Sequence, residues 1–198
     1  MSGCRLNLAV LASGEGTTLD ALVTASANRA LAADVVLVIS NNRDSGAIRR
    51  AKERAIPYRH LSSVTHPDPV ALDRAMFEAL VGAGIELVVL AGFLKKIGPL
   101  VLSAFEGRII NTHPALLPKF GGHGMYGRRV HEAVLGAGEQ MTGVSVHLVT
   151  GEYDAGPVIA QVQVPVLRGD TADTLAERVQ AEERACLVRT VHGLACAS

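Results

Sequence analysis

The stretch LNLAVLASGEGTTLDALVTASANRA, residues 6–30, passes from an apolar run through two glycines into a segment of helical periodicity. LNLAVLAS (6–13) is apolar throughout Leu8–Ala12, with Asn7 near its start and Ser13 at its end, and stops at glycine, as a strand buried on both faces does. TTLDALVTASANRA (17–30) predicts a helix, with Thr17 or Thr18 as its cap. Between them Gly14 and Gly16 allow close backbone approach to a ligand, and the helix start adds N–H groups and the positive end of its dipole. That arrangement suits a phosphate; the plainer alternative is a tight turn with no ligand. A Cβ at Gly16 is accordingly expected to obstruct the ligand more than the fold. A dinucleotide fingerprint calls for a third glycine where Leu19 stands and an acid where Ser40 and Asn41 end the second strand, so NAD is set aside.

The same alternation continues. Strands are expected over 34–40, 58–61, 87–93 and 108–112, and helices over 45–57, 68–84 and 98–107, with Asp68 as cap and Pro69 at the first helical position. A helix follows near 129–136, then β runs over 143–149 and 157–166, then a helix from Thr171. This β-α-β order predicts a doubly wound, mostly parallel sheet with helices on both faces. The alternating last β run reads as an antiparallel edge strand, and the whole as one domain, 1–198.

Composition limits the function. Nineteen basic and nineteen acidic residues cancel, which argues against a general nucleic-acid partner. The three cysteines, Cys4, Cys186 and Cys196, form no CxxC, so neither a disulfide framework nor a zinc site is expected, and a reducing compartment fits. No apolar run is long enough to span a membrane, so the expected location is cytoplasmic. The oligomeric state stays open, a homodimer included.

A second stretch, IINTHPALLPKFGGHGMYGRR (109–129), ends a buried strand on Asn111 and His113. Residues at i and i+2 of a strand share a face, and in an open α/β sheet ligands bind at the carboxyl ends of strands. The loop that follows is long and glycine-rich, yet holds Pro114, Leu116, Leu117, Pro118, Phe120 and Tyr126, which predict order. Asp154, between Gly151 and Gly156, reads locally as a turn former, and His147 as a structural strand residue. On the last helix Leu175, Val179, Cys186, Leu187 and Leu194 form an apolar face with Glu183 in its middle. An acid there needs a partner, either a nearby arginine or a ligand.

SGEGTTL, LAGFLKKI, INTHPALLPKFGG, TGVSVHLV, YDAGPVIAQ and VPVLRGDTADTLAERV occur here in the order found in the phosphoribosylglycinamide formyltransferases. The chain resembles that family over nearly its whole length. The resemblance implies a Rossmann-like formyltransferase fold. It implies direct formyl transfer from 10-formyltetrahydrofolate, a co-substrate, to the primary amine of N1-(5-phospho-D-ribosyl)glycinamide (GAR) in purine synthesis, through a tetrahedral intermediate and without metal. By position, Asn111, His113 and Asp154 match the catalytic trio. Gly16, Thr17, Thr18, Gln180 and Glu183 match the GAR contacts. Leu94, Lys95, Lys96, Ile97, Asn111, Thr150, Gly151, Glu152, Tyr153 and Asp154 match the folate site. The departures are Thr17-Thr18 for the more usual Ser-Asn, the lack of the family's folate-contacting arginine, which would fall near Pro69, and EERACLV on the last helix.

Three other readings stand beside it. A methionyl-tRNA formyltransferase is expected to carry a further C-terminal domain and a basic surface, and a formyltetrahydrofolate deformylase a further N-terminal domain. A non-catalytic phosphate-binding module accounts for the glycine turn but not for the three trio residues together.

Overall fold

The computed structural model describes residues 5–197; Cys4 lies outside them. The elements are β1 (Leu6–Leu11), α1 (Thr17–Ala27), β2 (Ala33–Ser40), α2 (Gly46–Glu53), β3 (Tyr58–His60), α3 (Pro69–Gly82), β4 (Leu87–Leu90), α4 (Pro99–Ala104), β5 (Ile109–His113), α5 (Arg128–Gly136), β6 (Met141–Leu148), β7 (Val158–Pro165) and α6 (Ala172–Ala197). The strand order is β3-β2-β1-β4-β5-β6-β7. The chain divides into two compact units, Met1–Ile110 with Val191–Ser198, and Asn111–Thr190.

In the first unit β1 pairs parallel with β2 and β4, and β2 with β3. Leu8, Ala9, Val10 and Leu11 are fully buried, as expected of a strand covered on both faces. The chain winds outward from β1 to β3 and then returns to place β4 on the other side of β1. The carboxyl ends of β1 and β4 therefore flank a topological switch point, where open α/β sheets bind ligands. Both strands stop earlier than the apolar runs suggest, because the next residues leave the ladder to join the two loops. The Ser13 N–H donates to the Gly92 carbonyl (3.1 Å), and the Leu94 N–H donates to Ser13 Oγ (2.9 Å).

Helix starts follow the sequence in one case and depart from it in another. Asp68 caps α3 by accepting from the N–H groups of Val70 and Ala71 (both 3.2 Å), with Pro69 at the first turn. For α1 the cap is Gly16, not a threonine: it adopts φ 75°, and no side chain caps the helix. Helix α4 borrows its cap from α3, where the buried Asp73 accepts from the N–H groups of Leu100 (2.8 Å) and Val101 (3.2 Å).

In the second unit β6 and β7 are antiparallel, with Val144 opposite Val162, and β7 ends the sheet with most of its residues exposed, matching the expected edge strand. Arg178 grips Asp170 through two nitrogens at 2.8 Å, tying the first turns of α6 to the segment before it. The buried face of α6 runs through Leu175, Val179, Cys186, Leu187 and, where the helix re-enters the first unit, Val191 rather than Leu194. Among the described residues no helix is long and apolar enough to cross a membrane, and Cys186 and Cys196 are free thiols.

Replacing Asp73 by alanine strands two backbone donors at the start of α4. The expected loss is ~1–3 kcal/mol, read in thermal melts as a fall of about 2–4 °C per kcal/mol. An unchanged Tm would show that α4 is held by packing alone.

Candidate active site

Strand β5 extends through His113, so Asn111 and His113 lie on one side of it and Thr112 on the other. Each side meets a different partner. On one side His113 Nδ1 stands 3.4 Å from Asp154 Oδ2, and the other carboxylate oxygen stands 3.4 Å from His147 Nε2. Asp154 adopts φ 53°, and its Oδ2 accepts from the Gly122 N–H (2.9 Å). Its turn is sterically committed: a Cβ at Gly156 would stand 1.8 Å from the Leu148 carbonyl oxygen, and one at Gly121 would lie 3.2 Å from Asp154 Cβ.

The hydrogen-bond directions follow from the acceptors. A carbonyl only accepts, so His147 Nδ1 donates to the Leu148 carbonyl (2.9 Å). In the neutral ring Nε2 is then bare and accepts from Asn111 Nδ2 at 3.1 Å. This fixes which way the Asn111 amide faces and leaves its second N–H for another acceptor. Likewise His113 Nε2 donates to the Phe120 carbonyl (2.7 Å). Phe120 holds φ 57°, uncommon for a bulky residue, and that backbone turn presents the carbonyl. The neutral His113 ring thus presents a lone pair at Nδ1 to a carboxylate, and a proton arriving at Nδ1 would join the two.

Burial and charge oppose each other here. Burial pushes the His113 imidazole below its ordinary value; Asp154 and the Phe120 carbonyl partly offset this, and His147 adds to the lowering. Asp154 thus favours the charged ring, but burial outweighs it, and the resting ring is neutral at neutral pH. Burial alone would raise Asp154; His147 and His113, each once its ring nitrogen facing the carboxylate is protonated, and the Gly122 N–H together hold its carboxyl below the usual range. His131 of α5 is buried, its Nδ1 has no partner among the described residues, and burial and His113 both push it down.

The loop after β5 is ordered by polar anchors as well as by the expected apolar ones. Buried Ser145 accepts from the Leu117 N–H (3.0 Å) and donates to the Ala115 carbonyl (2.7 Å), and Gln161 donates to the Leu117 carbonyl (3.0 Å). Leu116 lies over Gly143, where a Cβ would meet it at 2.5 Å.

On the other side of β5 the Thr112 hydroxyl donates to Glu183 Oε1 at 2.7 Å. Burial raises the Glu183 carboxyl above the usual range, against the lowering influence of Thr112 and Arg184. The partner the acid needed is thus a hydroxyl, and Gln180, one turn earlier, is exposed. In the 150–154 loop Thr150, Gly151, Glu152 and Tyr153 are exposed, and Tyr153 meets His123 edge-on with ring centroids 5.6 Å apart.

In the first unit, Leu94, Lys95 and Lys96 are exposed, whereas Ile97 is buried, so only its backbone can reach a ligand from that position. In the glycine turn Thr17 is exposed and Thr18 half-buried. A Cβ at Gly16 would stand 2.8 Å from Ala47 Cα. The expectation that such a Cβ would spare the fold is therefore corrected: Gly16 is needed for its positive φ and for close packing on α2. At Gly14 a Cβ meets nothing within 4 Å.

His147 is the residue that local reading set aside. Its signal was a polar ring in the mostly apolar strand GVSVHLV, seven positions before Asp154. Among the described residues no group of three His, Cys, Asp or Glu side chains is placed to hold a metal ion.

Comparison with known proteins matches residues 6–191 to the formyl transferase family. The chain is 41% identical over 189 residues to the phosphoribosylglycinamide formyltransferase of Mycobacterium tuberculosis, covering 95% of this chain and 84% of that protein. It is 40% identical over 182 residues, 91% of this chain, to the trifunctional purine biosynthetic protein adenosine-3 of Gallus gallus. It spans only 18% of the latter's length, and 64% and 61% of two chloroplastic plant relatives. The crystal structure of glycinamide ribonucleotide transformylase 1 from Symbiobacterium toebii superimposes with a TM-score of 0.92 at 34% identity, covering 98% of this chain and 90% of that one.

A proton titration of the histidine rings by NMR is expected to place His113 below the ordinary imidazole value, and lower still in Asp154→Asn, where the raising charge is gone. Both His113 and Asp154 bind protons less readily folded than unfolded. Their contribution to stability is therefore full above about pH 6.5 and declines as the pH falls, first with His113 and then with Asp154. A His113 that titrates above the ordinary value would contradict the dominance of burial.

Proposed function

Because this chain belongs to the formyl transferase family, we propose that it transfers a formyl group from 10-formyltetrahydrofolate to the primary amine of GAR in purine synthesis. The observation that carries the reading is the meeting of Asn111, His113 and Asp154 in one cluster around His147, drawn from stretches some forty residues apart. A phosphate-binding module needs no such cluster.

Each member has a task suited to its chemistry. The amine attacks the formyl carbon, the carbonyl oxygen gains negative charge, and the second N–H of Asn111 is the donor for it. The amine loses a proton and folate N10 gains one as its bond to the formyl carbon breaks. His113, neutral at rest, accepts that proton, and Asp154 stabilises the cation until it is passed on. No metal or covalent nucleophile enters these steps. In the first unit, the N–H groups around Gly16, Thr17 and Thr18 take the GAR phosphate. Leu94, Lys95, Lys96 and Ile97 contribute to folate binding, as do the residues from Thr150 to Asp154. Glu183 and Gln180 take substrate hydroxyls.

The direct test is incubation with 10-formyl-5,8-dideazafolate and GAR, following absorbance of the deformylated product. Release that depends on GAR supports the reading; release without any amine acceptor would make the protein a deformylase.

Two variants probe the roles. Asn111→Ala is expected to lower kcat by about 10²–10³, ~3–4 kcal/mol of transition-state stabilisation, with the pH profile barely moved. Asp154→Asn shifts that profile toward acid, and the double variant loses less than the sum of the two, because the groups act as one unit. A superimposable profile would reduce Asp154 to a turn residue. Glu183→Gln is expected to raise the KM for GAR roughly tenfold or more, as for loss of a hydrogen bond to a charged group. Its Tm at neutral pH should match or exceed the parent's: the folded state disfavours the Glu183 charge, and a glutamine oxygen still accepts from Thr112. A large Tm loss with an unchanged KM would make Glu183 purely structural.

A further inference from the structure

We propose that Arg50 of α2 is a positioning residue for the substrate phosphate, acting through the backbone of the glycine turn; this rests on the phosphate assignment made above. In a trans peptide the carbonyl and the following N–H point in opposite directions. Three successive carbonyls of the turn are occupied. Gly14 O accepts from the Ala47 N–H (3.1 Å), Glu15 O from Arg50 Nε (2.7 Å), and Gly16 O from the Asp20 N–H (3.1 Å). The N–H groups of Glu15, Gly16 and Thr17 are thereby turned away from these partners and gathered for an anion, while no carbonyl dipole competes with it. Two of the three bonds are backbone to backbone and need no particular side chain. The middle one depends on Arg50.

Arginine also suits the second contact. While Nε holds the Glu15 carbonyl, Nη1 pairs with Asp20 in the first turn of α1. Arg54 reaches the other oxygen of Asp20 at 2.8 Å but no atom of the turn. A carboxylate at that position repels an incoming phosphate, and the two guanidinium groups neutralise it. Lysine keeps the charge but lacks the planar fork that serves both acceptors. The close seat of the turn on α2 makes the device rigid: a Cβ at Gly46 would stand 2.5 Å from the Glu15 carbonyl oxygen.

The test is steady-state kinetics on the full chain with GAR and the formyl-folate varied separately. Arg50→Met is expected to raise the KM for GAR about tenfold, the equivalent of ~1.4 kcal/mol, with kcat and the folate KM within about twofold of the parent's. Arg50→Lys should remain raised several-fold, because charge alone does not orient the turn; should Arg50→Met fail to fold, this variant carries the test. Arg54→Met should raise it by less than Arg50→Met does, because the Glu15 carbonyl keeps its donor. An unchanged GAR KM in Arg50→Met would overturn the proposal, as would full recovery with lysine, an equal rise in the folate KM, or an equal effect of Arg54→Met. Absence of GAR turnover by the parent removes the functional reading and this proposal with it. Parental turnover with an unaffected Arg50→Met removes this proposal alone.

Discussion

The second unit is organised around one carboxylate between two imidazoles. Asp154 faces His113 with one oxygen and His147 with the other, each at 3.4 Å. A charge with so little exposed surface requires partners: the loop after β5 supplies the Gly122 N–H, and the imidazoles from β5 and β6 stand ready to become donors on protonation. The backbone yields to this requirement at several points. Asp154 and Phe120 sit in the left-handed region, and Gly156 leaves no space for a side chain. The loop that supplies the Gly122 N–H is tethered by Ser145 and Gln161.

The cluster also explains why a histidine, rather than a permanent cation, serves at position 113. Burial keeps the ring neutral, and a neighbouring carboxylate lowers the cost of charging it. On the proposed reading the group must hold a proton briefly and surrender it, and the opposition of burial, which favours the neutral ring, and the carboxylate, which favours the cation, permits both. Arginine or lysine in the same place would hold its proton throughout. His147 contributes without touching the proton: its tautomer, fixed by the Leu148 carbonyl, decides which end of the Asn111 amide faces outward.

Much of this was legible in the sequence because periodicity is local. The strands and helices of the first unit follow from apolar runs broken by glycine, and Asp68-Pro69 announces α3 without help. Asn111 and His113 were legible as a pair because a strand repeats every two residues. The rest depended on contacts that no local pattern encodes. Thr17 and Thr18 are good capping residues, yet the cap is Gly16, because the turn must lie against Ala47. Glu183 was visible as an anomaly on an apolar face, but its hydroxyl partner sits seventy-one positions earlier. Asp73 caps a helix it does not belong to. His147 looked like a strand residue, and is one; only the fold brings it against Asn111 and Asp154.

The division of the chain has a consequence for how the protein is made. The first compact unit is not continuous in sequence: it comprises residues up to Ile110 and the last residues of α6, including the fully buried Val191. A ribosome delivers the N-terminal part first and the closing helical turns only after the whole of the second unit has been synthesised. Until then the surface that receives Val191 is without its cover. The parallel strands of the first unit, whose pairings join distant segments, must wait in that incomplete state through some eighty further residues of elongation. The nascent chain is therefore most exposed to misassociation in the interval between the end of β5 and the end of α6.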